Sequence, residues 1–590
     1  MPELITSLRE RAARDPHEPA VFFVSGSKEF HGSSRTFSEL ELSARRTASW
    51  LQERYKPGDR ALLVHSPGLE FVTAFFGCLY AGLIAVPAPV PARSGHQHRR
   101  LAAIARDAGV RVLLTQEEDR ATMEKWAAEA GVDGLTVHTT DAGDGDGDPA
   151  AWSEPPVSPD TVALLQYTSG STGDPKGVMV SHGNLLTNGQ RIFGSIGLDT
   201  TRCSARTGGW IPLYHDMGLI GLMLPGILLG RGYAQLDPVS FLRNPYQWLR
   251  MMDSLDINLT ASPDFGYDMC VRRVTDEQLA TLDLSRIAAA VNGSEPVRAG
   301  TLDRFQERFG PAGFRPEAML PMYGLAEATL MASGTGGRKP VTTAVGADGL
   351  ERGLVAPATA TEPSRTLTGC GADTGSRALI VDPETARVLP DGRIGEIWLS
   401  GPCVAGGYWG NEPATQATFR ARTADGQGPF LRTGDLGGRL DGDLYITGRR
   451  KEVLVVHGRN VYPHDIEDEL RLRHEELDDL LGAVFLVGGA DGVRAEPAVV
   501  AVHETRPQPD TERLRSLAAA MKQTIAREFG VPVGAVVLVR PRSVRRTTSG
   551  KIQRSAMRDL YLTGQLEHFF LSEDPQLTSA LADHRERGPR

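Results

Sequence analysis

The chain has 590 residues, more than one hydrophobic core can serve, since cores stop growing at roughly 250–300 residues. A hydrophobic fraction of 41% and a charged fraction of 23% are those of an ordinary globular protein. The formal net charge of -9 argues against nucleic acid as the main partner, because phosphate backbones are held by clustered Lys and Arg. The five cysteines, Cys78, Cys203, Cys270, Cys370 and Cys403, are scattered without a Cys-x-x-Cys pair. That pattern fits a reducing, cytoplasmic compartment and no metal cluster.

The N-terminal stretch MPELITSLRERAARDP is charged, reads as helix and lacks the apolar centre of a signal peptide. Residues 1–150 alternate helical patterns (SELELSARRTASWLQERY) with strand patterns (ALLVHS, VRVLLT), which implies a layered α/β fold with parallel strands. Residues 71–92 carry no charge and are long enough to be weighed as a membrane span, about 18 residues or more. Gly82, Pro87 and Pro89 divide them instead into a helix over 69–81 and a short buried strand, LIAV, so no transmembrane segment is expected. Residues 141–160 read as a surface loop, and the strand VALLQYT then runs directly into a Gly/Ser/Thr loop.

Residues 333–375 are rich in Gly, Thr and Ala with weak helical periodicity, which marks a long insertion. From about 449 onward the chain reads as a separate small domain, with strands EVLVV, AVFLVGG, AVVAVH and AVVLVR and helices DIEDELRLRHE and TERLRSLAAAMKQTIAREFG. The last 25 or so residues are polar and read as a partly ordered tail. The expected architecture is α/β: a large N-terminal domain over 1–448, and a small α+β domain over 449–590.

The first chemical signal is Thr168-Ser169-Gly170-Ser171-Thr172-Gly173-Asp174-Pro175-Lys176-Gly177. Small hydroxyl residues and glycines leave backbone N–H groups free to face an anion, and Lys176 adds charge. No Walker A pattern can be drawn through it. A flexible Ser/Gly linker is the bland reading, but linkers rarely join two buried strands. The loop resembles the signature loop of the acyl-adenylate-forming superfamily, which contains acyl-CoA synthetases, luciferases and peptide-synthetase adenylation domains. Further segments follow in that family's order, so the resemblance covers nearly the whole chain.

Gly293-Ser294-Glu295-Pro296 resembles the family's adenine-side turn, with Ser294 where Gly or Ala is common. Met322-Tyr323-Gly324-Leu325-Ala326-Glu327 resembles the segment whose tyrosine lies against adenine and whose glutamate helps hold Mg²⁺. The resemblance thus implies ATP and Mg²⁺, with Glu327 and Thr168 at the metal. Arg432-Thr433-Gly434-Asp435 resembles the ribose segment, and a carboxylate such as Asp435 can accept from both vicinal hydroxyls. Gly448-Arg449-Arg450-Lys451-Glu452 resembles the domain junction, with Arg449 reaching the nucleotide and Lys451 at the hinge. Thr548-Ser549-Gly550-Lys551-Ile552 resembles the loop of the adenylation lysine, which makes Lys551 the expected catalytic cation.

Ile211-Pro212-Leu213-Tyr214-His215-Asp216-Met217-Gly218-Leu219-Ile220-Gly221 resembles the acyl-pocket segment of one branch, the fatty acyl-AMP ligases. It places Tyr214, His215, Asp216, Met217 and Gly218 at the acyl pocket, with His215 near the carboxylate. The insertion, about 338–368, falls where that branch carries an extra segment associated with poor use of coenzyme A. The implied activity is adenylation of a fatty acid, then transfer to the phosphopantetheine of a separate acyl carrier protein, as at the start of polyketide or lipopeptide synthesis. Asp253-Ser254-Leu255 matches a carrier's letters but ends a helix inside the large domain. The alternatives are a fatty acyl-CoA ligase, an amino-acid or aryl-acid adenylating enzyme, and a non-catalytic nucleotide-binding protein, which would be expected to lack Lys551 or Glu327.

Overall fold

The computed structural model describes residues 4–26, 31–91, 95–142, 147–168, 175–198, 205–456, 459–488, 493, 497–506, 510–547 and 550–587. Two sheets form the framework of the large domain. One has six strands, in the order Thr136–Thr139, Val112–Thr115, Arg60–Leu63, Ile84–Pro87, Val162–Thr168 and Lys176–Ser181. Its first five strands run parallel, and the last turns back antiparallel. The other has nine strands with a parallel centre that includes Ile257–Ser262, Ala289–Asn292 and Met319–Gly324. The expected α/β alternation is therefore present, with helices between the parallel strands.

The uncharged stretch folds as its breakers dictate. A helix spans Leu69–Tyr80, Gly82 adopts φ +75°, and the strand Ile84–Pro87 follows, every residue of it buried. Among the described residues no helix is long and apolar enough to cross a membrane. Helix Leu69–Tyr80 lies against helix Phe37–Gln52, where a Cβ on Gly77 would meet Thr47 Cγ2 at 2.6 Å. The bare glycine is what permits that approach. Asp253-Ser254 ends helix Tyr246–Ser254, and Asp253 pairs with Arg286 at 3.0 Å, an ordinary structural contact.

The C-terminal part is built on its own four-stranded sheet, Gly482–Val487, Ala498–Glu504, Val533–Val539 and Phe570–Glu573. Alternate residues serve opposite faces: Val499 and Ala501 join one buried cluster, Val500 and Val502 the other. Both faces are covered, which is why these strands read as unbroken apolar runs. The buried members of those two clusters all fall between Leu454 and Leu581. The polar tail is a correction. Phe570–Glu573 pairs antiparallel with Val533–Val539, and helix Pro575–Arg587 follows with Leu577 and Leu581 buried.

The insertion is ordered too. Thr342–Gly346 and Ser364–Thr368 pair antiparallel, with a short helix Ala347–Glu351 between them, and Val345, Leu350 and Val355 pack on Tyr445.

Gly77→Val is expected to destabilise the large domain by about 1–3 kcal/mol through overpacking against Thr47. Gly194→Ala, in a helix with nothing within 4 Å, is expected to be neutral or to stabilise by up to about 1 kcal/mol. Thermal unfolding midpoints of the two variants check the contrast.

Candidate active site

The carboxyl ends of the parallel strands converge on one cleft, where ligands bind in open α/β sheets. Ala289–Asn292 delivers Gly293-Ser294-Glu295-Pro296, and Met319–Gly324 delivers Met322, Tyr323 and Gly324. A Cβ on Gly293 would meet the Met322 carbonyl at 2.8 Å, and one on Gly324 the Leu330 carbonyl at 1.8 Å. Glycine at both positions lets the two turns lie against their neighbours. Ser294 holds φ +70°, a left-handed conformation that glycine adopts at no cost.

The strand Val162–Thr168 enters from the other sheet, and Thr168 pairs with Lys176 across the turn. Ser169, Gly170, Ser171, Thr172 and Gly173 lie outside the described residues, as does the Thr168 side chain. Lys176 Nζ sits 5.1 Å over the Tyr408 ring, and Tyr408 Oη donates to Glu327 Oε1 at 2.9 Å. Sequence reading missed Tyr408; its Gly406-Gly407-Tyr408-Trp409-Gly410 context was the available sign.

A cavity of about 750 Å³ is lined by Lys176, Tyr214, His215, Asp216, Met217, Gly293, Ser294, Met322, Tyr323, Gly324, Glu327, Arg449, Lys451 and Lys551. An adjoining cavity of about 1510 Å³ lies between the large domain and the C-terminal part and takes in Glu295, Pro296 and Asp435. Gly218 does not line either; its Cβ would strike the Pro212 carbonyl at 2.6 Å, so it serves the docking of the helix. That helix, Met217–Met223, is π-helical and wholly buried, with the Leu224 N–H reaching back to the Leu219 carbonyl. Such turns are frequent at functional sites.

Asp435 is 5% exposed and accepts from Tyr323 Oη at 2.8 Å and Arg449 Nε at 3.0 Å. A carboxylate offers about four lone-pair sites, so about two remain for further donors. The turn bearing Asp435 is held by Glu396, a buried residue that sequence reading missed. Glu396 accepts from the Gly434 N–H at 3.2 Å and from Arg432 Nε at 3.0 Å.

Lys551 comes from the C-terminal part; its N–H donates to Thr547 Oγ1 at 3.1 Å and its carbonyl accepts from Thr547 N–H at 2.8 Å. Burial and the neighbouring Arg449 push it below the ordinary lysine range, while Asp216, Asp435 and Glu295 pull it up. His215 Nδ1 is 2.8 Å from Asp216 Oδ1. Burial acts to raise Asp216, but His215, Lys551 and the Met217 amide hold its carboxyl below the usual range. Burial raises Glu295, which accepts the Phe265 N–H at 2.8 Å. Arg100, also missed, lines both cavities beside Tyr214 with no hydrogen bond or ion pair among the described residues.

No group of three or more His, Cys, Asp or Glu among the described residues could hold a metal ion by itself. The single carboxylate of Glu327 fits an ion that takes its remaining ligands from phosphate and water, as Mg²⁺ does. Lys451 is exposed in the turn that follows strand Asp443–Arg449.

Asp435→Asn is expected to raise the ATP KM by about tenfold to a hundredfold, the cost of losing charged hydrogen bonds. Steady-state pyrophosphate release checks it, with an unchanged fatty acid KM as the control.

The family model described as AMP-binding enzyme matches residues 8–409. The chain is 38% identical over 561 residues, 93% of each chain, to the medium-chain-fatty-acid--[acyl-carrier-protein] ligase JamA of Moorena producens. It is 36% identical to the long-chain-fatty-acid--AMP ligase FadD26 of Mycobacterium marinum, over 94% of this chain and 96% of that one. A structure from a study of fatty acyl-adenylate ligases of E. coli and L. pneumophila superposes with TM-score 0.83 at 30% identity, covering 95% of this chain and 98% of the other. A fatty acyl-adenylate ligase from L. pneumophila, solved with acyl adenylate and pyrophosphate, gives TM-score 0.73 at 32% identity over 97% and 98%. The fold is thus the adenylate-forming fold, and the chain belongs to the AMP-binding enzyme family, within its fatty acyl-AMP ligase branch.

Proposed function

We propose that the enzyme joins a fatty acid to ATP as fatty acyl-AMP, releasing pyrophosphate, and passes the acyl group to the phosphopantetheine thiol of a separate acyl carrier protein. The observation that carries this reading is Lys551: a cation from the small domain lines both cavities, the one that holds the His215–Asp216 pair and the adjoining one that holds the Asp435 carboxylate. Beside the His215–Asp216 pair that cavity presents apolar surface from Ile192, Leu259, Ala261, Val291, Leu330 and Met331. The relatives that act on medium-chain and long-chain fatty acids support the substrate class. The free, buried Cys78, Cys270, Cys370 and Cys403 support a cytoplasmic setting.

In the first step a carboxylate oxygen bonds to the α-phosphorus and the bond to the pyrophosphate oxygen breaks, the electron pair leaving with pyrophosphate. Both reactants are anions. Two unit charges 4 Å apart repel by about 1 kcal/mol in water but about 4 kcal/mol at an effective dielectric near 20. Lys551 supplies the countercharge where it builds up, Lys176 and Arg100 add to it, and Asp435 holds the ribose. Glu327 and Thr168 would hold Mg²⁺, which when bound neutralises phosphate charge. No general base is needed, since a fatty acid is already ionised at neutral pH. In the second step the carrier thiolate sulfur bonds to the acyl carbon and AMP leaves with the electron pair of the anhydride bond.

Lys551 must withdraw for the second step, so the small domain over 449–590 rotates about Lys451. The insertion restrains that rotation. Arg459 donates to both oxygens of Glu351, at 2.6 and 2.5 Å, and Arg365 pairs with Asp465 and lies 4.6 Å over the Phe529 ring. The restraint favours a carrier-borne thiol over free coenzyme A.

Two measurements test the reading. Pyrophosphate release across a panel of fatty acids, followed by mass analysis of the carrier, should show acyl loading; loading of coenzyme A alone would make the enzyme an acyl-CoA ligase. Adenylation should fall as pH rises, because the cation is lost when Lys551 deprotonates. Burial lowers its pKa, so this decline starts below the ordinary range near 10.4. Lys551→Arg should move the decline beyond the accessible range, and Lys551→Ala should slow adenylation by about a hundredfold or more. A Glu351→Gln, Arg365→Gln double variant is expected to gain acyl-CoA formation while keeping acyl-AMP formation, read by thioester assay.

A further inference from the structure

The adenine-side turn is connected to the small domain by a chain of charges outside the insertion. Asp264, fully buried, accepts from Asn292 Nδ2 at 3.0 Å, Thr301 Oγ1 at 2.9 Å, the Arg298 N–H at 3.2 Å and the Arg298 guanidinium at 3.1 Å. Arg298 stands two residues beyond Pro296 of the turn. Its Nε donates at 2.7 Å to Asp468, on the small-domain helix Pro463–Arg473. One fork therefore joins two carboxylates on different domains, a task for which a lysine's single ammonium is poorly shaped.

We propose that Arg298 is a positioning residue for adenylation: by bridging Asp264 and Asp468 it fixes the small domain in the orientation that places Lys551 in the cavity. The proposal rests on the adenylation reading above. The geometry gives it direction. Asp264 and Asn292 are buried beside the turn, so the large-domain end cannot shift without disturbing the adenine wall. Asp468 also accepts from Arg471, and with Arg298 this pushes its carboxyl down to about 2, so the pair stays ionised through the physiological range. The Arg298 side chain is 35% exposed and that of Asp468 23%, so the link is strong enough to bias the orientation and weak enough to break on rotation.

The test uses Asp468→Asn, Arg298→Gln and the double variant in the full chain. Asp468→Asn is expected to slow acyl-AMP formation by about fivefold to tenfold, while transfer from preformed acyl-AMP to the carrier thiol stays unchanged or quickens. The double variant should be no slower in adenylation than Arg298→Gln alone, since the shared contact is already gone. An adenylation rate unchanged in Asp468→Asn, an equal loss in both steps, or additive losses would overturn the proposal. Arg298→Gln also disturbs Asp264, so Asp468→Asn is the decisive variant. A second readout does not require the substrate assignment. Spin labels at Asp303→Cys and Arg513→Cys, both exposed and on opposite domains, in a Cys203→Ser background with ATP, should give one dominant distance. Asp468→Asn should broaden or shift it, and an unaltered distribution would sink the latch whatever the acid activated. Absence of acyl-AMP from the unmodified enzyme would count against the substrate reading instead.

Discussion

The arrangement depends on a conflict of charge. Adenylation requires two anions to meet in a closed cavity, and a cation must be present while they do. Held permanently, a buried lysine would be costly, and burial does lower the proton affinity of Lys551. The cavity offsets that cost with the carboxylates of Asp216, Asp435 and Glu295, each placed by the large domain. A negative cradle of this kind stabilises the lysine in the cavity, and under the proposed mechanism leaves it able to withdraw.

Asp435 and Asp216 of the cradle are each held by more than one polar contact. Asp435 is fixed from behind by Tyr323 and Arg449, its turn by Glu396, and Asp216 by His215 and the Met217 amide. The turns themselves leave strand ends in close contact, as Gly293 and Gly324 demonstrate. Thr329, held at φ +66° with its hydroxyl bonded to the Cys403 carbonyl at 2.6 Å, keeps the segment after Glu327 in a conformation few side chains adopt. Backbone strain is tolerated here because the surroundings determine it from several directions.

What the sequence made legible was local. The breakers Gly82 and Pro87, the apolar runs AVVAVH and AVVLVR, and the phosphate loop's neighbours all act over a few residues, and the structure follows them. What it hid was long-range. Phe570–Glu573 is polar enough to read as tail, yet it is a strand because Val533–Val539 offers an unpaired edge. Glu396 and Tyr408 reach the site from strands and turns far along the chain, and no spacing announces a partner some 36 or 81 residues away. The resemblance to a known family named the candidate residues, and the residues that hold them belong to the packing of this particular chain.

The surface between the two domains obeys a different rule from their interiors. Each part buries its own apolar clusters, and those of the small domain draw no buried member from before Leu454. Among the described residues the contacts across the gap include four ion pairs: Arg298 with Asp468, Arg365 with Asp465, Arg459 with Glu351, Arg272 with Asp478. A large apolar interface would lock the domains together, since burial grows with area and has no direction. Partly exposed ion pairs are individually weak, and they specify an orientation because each needs its partner in place. Under the proposed mechanism, in which the domain delivers a lysine and then withdraws it, several such contacts serve better than one large dry one. The insertion, through Arg365, and the turn at 293–296, through nearby Arg298, both pair with helix Pro463–Arg473, so two separate parts of the large domain bear on the same element.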